Sequence, residues 1–73
     1  MKRATIRTTH DHPELVAAAL VPDNTDEMST RVTDSVVATT IERDSTGGLR
    51  TTADDYVTNL TVAQQIIDTT TQS

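Results

Sequence analysis

The spacing of apolar positions changes along the chain, and each rhythm predicts an element. Residues 3–9, RATIRTT, alternate Ala4 and Ile6 with Arg7 and threonines, the period of a half-buried strand. Residues 10–20, HDHPELVAAAL, open like a helix. Asp11 or His12 can cap it, Pro13 suits the first turn, and Glu14 complements the dipole there. Leu15, Ala18 and Ala19 lie on one helical face with Val16 and Leu20 flanking them, and small residues let another backbone come close. Pro22, Asp23 and Asn24 are expected to stop this short, alanine-rich helix.

Residues 28–33, MSTRVT, set Met28 and Val32 against Arg31 and read as a second strand. Asp34 and Ser35 turn tightly into VVATTIER, residues 36–43, a third strand. It is apolar on both faces, with Val36 and Ala38 on one and Val37 and Ile41 on the other. That is the pattern of a strand covered on both sides. Last, residues 45–68 place Leu49, Ala53, Val57, Leu60 and Ile67 at helical spacing, with Tyr56 and Ala63 beside them. Val62 and Ile66 broaden the apolar surface on a neighbouring line. Residues 69–73 read as a frayed tail.

The order is β-α-β-β-α, one domain over residues 1–73. A right-handed crossover from the first strand to the second leaves a gap that the hairpin-paired third strand can fill. The expected fold is therefore α+β: a three-stranded antiparallel sheet of order 1-3-2 with two helices on one face. The other face and both edges would be bare, which points to self-association. The expectation is a homodimer through the sheet, with Val37, Ile41, Met28 and Val32 at its interface.

Composition strengthens the case for a partner. A chain of 73 residues buries only about 60% of its unfolded surface, so its core is marginal. It has one Tyr, no Phe, no Trp and no Cys, so neither a disulfide nor a thiolate metal site can staple it. Oligomerisation or a partner is the remaining device for rescuing a small fold.

The 11 acidic residues outnumber the 6 basic ones, for a net charge of -5, which argues against a general binder of nucleic acid or anionic membrane. Asp predominates over Glu, Lys2 is the one lysine, and threonine is abundant. This reads as a surface adapted to high salt, where the Debye length falls to about 3 Å at molar concentration and self-repulsion is screened. The chain has no 18-residue apolar run, and MKRATIRTTHDH lacks an apolar signal core, so a soluble, cytoplasmic protein is expected.

Candidate chemistry is thin. Gly47 and Gly48 are adjacent and followed by no Lys, unlike a phosphate-binding loop, and fit a strand-to-helix connection better. Arg50 just beyond could grip a carboxylate or phosphate on a partner. Asp54 and Asp55 diverge by about 100° on a helix and cannot share a substrate as acid and base. His10, Asp11 and His12 are suitable metal ligands by type, but they sit in one loop with no distant fourth. No catalytic set is credible, and neither an enzyme, a metal nor a cofactor is expected.

In order and over roughly residues 3 to 67, the chain resembles the small dimerising subunit of the KEOPS complex, and most of all its haloarchaeal members. This is the polarised-growth chromatin-associated controller family, which includes cancer/testis-antigen-type proteins. The marks are Leu20, Pro22 and Asp23 at the end of the first helix, and Leu49-Arg50 with Asn59 nine residues on. The resemblance implies a non-catalytic subunit of a complex that installs threonylcarbamoyl on adenosine 37 of tRNA. It implies a homodimer whose two helices pack against a catalytic ATPase-fold subunit, and a link to tRNA through the assembled complex. Carried onto this chain, the partner-binding residues are expected to be Leu15, Ala19, Leu20, Arg50, Asn59, Val62 and Ile66. Arg50 and Asn59 could instead tie their helix to its own fold.

Two rivals remain. A KH-like or double-strand-binding-like RNA module would need a Gly-x-x-Gly loop or a basic stripe, and neither is visible in the sequence. A small metal-dependent enzyme would need the His10, Asp11 and His12 loop.

Overall fold

The computed structural model describes residues 1–23 and 25–71. Strand β1 runs Lys2–Thr9, helix α1 Pro13–Leu20, strand β2 Met28–Thr33, strand β3 Val36–Arg43 and helix α2 Thr46–Thr71. A single 3₁₀ turn, Val21–Asp23, follows α1. Asn24, one of the expected helix stops, lies outside the described residues, as do residues 72 and 73 of the tail. The rest of the expected tail continues α2.

The sheet has the order β1-β3-β2, with both pairings antiparallel. The β2–β3 hairpin closes over Asp34 and Ser35, and Asp34 adopts the left-handed φ of 54° that a two-residue loop demands. Asp tolerates that conformation better than most side chains. Register assigns the faces. Ile6 and Thr30 both stand opposite Thr39, while Ala4 and Met28 stand opposite Ile41, so these positions share the face beneath the helices. Val37, Thr39 and Ile41 on that face are wholly buried.

Each helix presents one stripe to this face. On α1 the buried residues are Pro13, Val16, Ala17 and Leu20, which leaves Leu15, Ala18 and Ala19 outside. On α2 the stripe runs Leu49, Ala53, Tyr56, Leu60, Ala63 and Ile67, alternating steps of four and three residues. Val57, expected on that face, is instead half exposed, and Tyr56 takes its place. The Tyr56 ring brings its hydroxyl with it. Thr39 Oγ1 donates to it at 2.7 Å, and the Thr30 hydroxyl lies 2.8 Å from Thr39 Oγ1. The buried threonine on the central strand is thereby satisfied from both sides.

Helix α2 starts differently from expectation. Ser45 caps it: Gly48 N donates to Ser45 Oγ at 3.0 Å, and Leu49 N donates to Ser45 O at 3.0 Å. Gly47 and Gly48 are therefore inside the first turn and not in a connecting loop, and neither has positive φ. Gly48 has a steric reason to lack a side chain. A Cβ there would stand 3.2 Å from Arg43 Nη2, the guanidinium that crosses to donate to Thr52 Oγ1 at 2.6 Å and pair with Glu27 at 3.0 Å. No such neighbour lies within 4 Å of a Cβ at Gly47.

Candidate interaction surfaces

Because α1 spends Val16, Ala17 and Leu20 on the core, its outer side is left with Leu15 and Ala19. Because α2 spends Tyr56, Leu60, Ala63 and Ile67, its outer side is left with Val57, Asn59, Val62 and Ile66. The two helices pack side by side, which brings Ala19 of the one to Asn59, Val62 and Ile66 of the other. Ala19, Asn59, Val62, Ala63 and Ile66 line one shallow groove of about 260 Å³. Leu15 is 50% exposed, Val62 49% and Ile66 60%, unusually open for residues of their size. The groove thus collects four of the expected partner-binding residues, Ala19, Asn59, Val62 and Ile66, and Leu15 is exposed on the same helical layer.

Leu20 does not belong with them. At 2% exposure it is a core residue beneath α1, so its apolar character is spent on the fold. Arg50 is exposed, and neither its side chain nor that of Asn59 has a hydrogen bond or ion pair among the described residues. Arg43, through Thr52, is the arginine that helps tie α2 to the sheet. Asn59 also borders a second recess of about 310 Å³, whose lining includes Arg43, Glu27, Asp55 and Tyr56.

The residues expected at the dimer interface are corrected in the same way. Val37 and Ile41 are fully buried between sheet and helices, Met28 is packed against that core, and Val32 lies on the same face but at 37% exposure. The apolar pair on the uncovered side of β3 is Val36 and Ala38.

That uncovered side carries the feature least visible in the sequence. Arg7 of β1 and Arg31 of β2 both stand opposite Ala38 of β3, and Arg3 stands opposite Glu42. Three of the five arginines therefore share one face. Arg3 is paired with Glu42 at 2.9 Å, whereas Arg7 and Arg31 form no ion pair among the described residues, although Asp34 lines the same recess. Threonines fill the spaces between them, and Thr5 and Thr40 hydroxyls meet across the strands at 3.2 Å. The sequence holds no basic run because the stripe is assembled by strand register.

His10 has an internal role. Its Nδ1 lies 2.6 Å from Gln64 Oε1 and its Nε2 2.6 Å from Thr8 Oγ1. A carbonyl oxygen only accepts, so Nδ1 carries a proton, and in the neutral ring Nε2 accepts from Thr8. Gln64 in turn donates to Asp68 at 2.7 Å. The chain of bonds fastens the end of β1 to the second half of α2, leaving neither imidazole nitrogen for a metal. Among the described residues no group of three His, Asp or Glu is placed to hold one. Asp54 and Asp55 are exposed on successive helical positions. Among the described residues, too, no helix is long and apolar enough to cross a membrane.

Compared with protein-family models, curated proteins and solved structures, this chain finds no match.

Proposed function

We propose that the chain is a non-catalytic assembly subunit that docks a larger protein on its helical layer. In this reading it is the dimerising subunit of a cytoplasmic KEOPS complex, supporting threonylcarbamoyl modification of tRNA position 37. The observation that carries the docking role is the apolar groove between α1 and α2. Ala19, Val62 and Ile66 are exposed and contiguous there, and the side chains of Arg50 and Asn59, also exposed on α2, form no hydrogen bond or ion pair among the described residues. The identity of the partner rests on the resemblance of residues 20–23, Leu49, Arg50 and Asn59 to that family.

Self-association is assigned to an edge of the sheet. Stacking two open faces would bring the unpaired Arg7 and Arg31 of both copies together and desolvate them, which is costly without counter-charges. The outer edge of β1, eight residues paired only on its β3 side, presents a row of backbone donors and acceptors that a second copy can extend antiparallel.

The test is capture of the catalytic ATPase-fold subunit by wild-type chain and by the double variant Val62→Asp, Ile66→Asp. Both positions are exposed, so the variant is expected to keep its helicity and its dimer while losing capture. Unchanged capture by a folded variant would remove the groove from the interface.

A further inference from the structure

We propose that the open face of the sheet docks an extended acidic segment of another protein, whose carboxylates Arg7 and Arg31 grip over Ala38. The site is on the opposite side of the molecule from the helical groove, and the inference stands whether or not that groove docks a catalytic subunit.

Strand register makes the geometry. Arg7 and Arg31 flank the same residue of the central strand, so their backbones are about 9.5 Å apart, two strand spacings. Between them Ala38 has a single methyl group and is 7% exposed although it lies on an uncovered face. The recess there, about 280 Å³, is lined by both arginines, Thr33, Asp34, Val36 and Ala38. The two guanidiniums form no ion pair, and the Thr33 hydroxyl no hydrogen bond, among the described residues, so all three have donors to offer. A guanidinium fork matches a carboxylate through two parallel hydrogen bonds. In an extended chain, side chains two positions apart point the same way at about 6.7 Å spacing. Two long arginines rooted about 9.5 Å apart can close that difference. Acidic residues at alternate positions of a segment crossing the strands would then each meet one fork.

Charge selects the occupant and limits its length. The chain as a whole carries -5, whereas this face has three arginines against Glu42, with Asp34 at its rim. Complementary potentials draw an acidic partner to this face and turn it away from the rest of the surface. Arg3 is held by Glu42, which leaves Arg7 and Arg31 to bind. Nucleic-acid binders that rest on charge make on the order of six to ten phosphate contacts, and two arginines beside a carboxylate fall well short. The single aromatic residue, Tyr56, is buried on the other side, so the face offers no platform for stacking bases either. A short acidic segment needs only the two forks. Val36 and Ala38 give its apolar atoms a floor that a free small anion could not use.

The experiment is fluorescence anisotropy with a labelled peptide that alternates Glu and Ser, across the salt range in which circular dichroism shows the chain folded. The wild type should bind this peptide, and should bind a counterpart with Gln in place of Glu at least about tenfold more weakly. Arg7→Ala with Arg31→Ala should lose about the same factor for the Glu peptide while leaving the circular dichroism unchanged. Asp34→Asn removes the rim carboxylate but keeps a residue that tolerates the left-handed turn, and should tighten binding. Absence of binding by the folded wild type would overturn the proposal, as would equal affinities for the two peptides or an affinity unchanged in the arginine variant. Two competitors test the kind of occupant. Displacement of the peptide by inorganic phosphate at equal charge concentration would show a small-anion site, and tighter binding of an RNA duplex would show a nucleic-acid surface; either result would overturn the assignment to a protein segment.

Discussion

The two faces of the sheet are built from alternate residues of the same strands, yet they obey opposite rules. Under the helices, Val37, Thr39 and Ile41 are buried, and even the one hydroxyl among them is satisfied by Tyr56 and Thr30. On the other side, Thr40 and Glu42 look outward with Arg3, Arg7 and Arg31 ranged across the neighbouring strands. The difference shows that chain partner and solvent are separated by a single step along β3. A one-residue slip in register would exchange them.

Mutations along β3 should therefore alternate in effect. Ile41→Ala leaves a cavity between sheet and helices and should cost about 2–5 kcal/mol in urea unfolding, enough to unfold much of so small a domain. Its neighbour Thr40→Ala, on the open face, should stay within about 0.5 kcal/mol. Equal costs at the two positions would break the comparison. Tyr56→Phe keeps the ring and removes the hydroxyl, leaving Thr39 with Thr30 alone, and should cost about 1 kcal/mol. No loss on thermal unfolding would mean the Thr39 bond contributes nothing to the covered face.

Smaller effects separate the two glycines of α2. Gly47→Ala meets nothing and gains helix propensity, so unfolding should show a stabilisation of about 0.5–1 kcal/mol. Gly48→Ala pushes on Arg43 and on the Ser45 cap and should forfeit that gain. Arg3→Ala, too, should change stability little, by about 1 kcal/mol at most, because its partner Glu42 is also solvent-accessible and exposed pairs contribute little.

The same comparison explains what the sequence could reveal. Element order, the hairpin at Asp34-Ser35 and the sheet order were legible from turn residues and period, because each is a local signal or follows from crossover handedness. The allocation of faces was not. Val36, Ala38, Val37 and Ile41 show a two-faced apolar strand without saying which pair the helices cover, so Val37 and Ile41 read as interface when they are core. Leu20 was misplaced for a similar reason: on so short a helix two faces carry apolar residues. Val57 and Tyr56 are one position apart on α2, and only packing against Thr39 decides between them. Arg7 and Arg31 stand 24 positions apart in the chain, and no reading of neighbours joins them; the β1–β3 and β3–β2 registers do.

The central claim is that the chain exists to join other proteins, dimerising through the sheet edge and docking a catalytic subunit on the helical groove. Light scattering on the chain mixed with the ATPase-fold subunit at high salt tests it most directly. The account predicts a chain that is dimeric alone and that carries the larger subunit in the mixture. A monomer that elutes unchanged beside the larger subunit would contradict it.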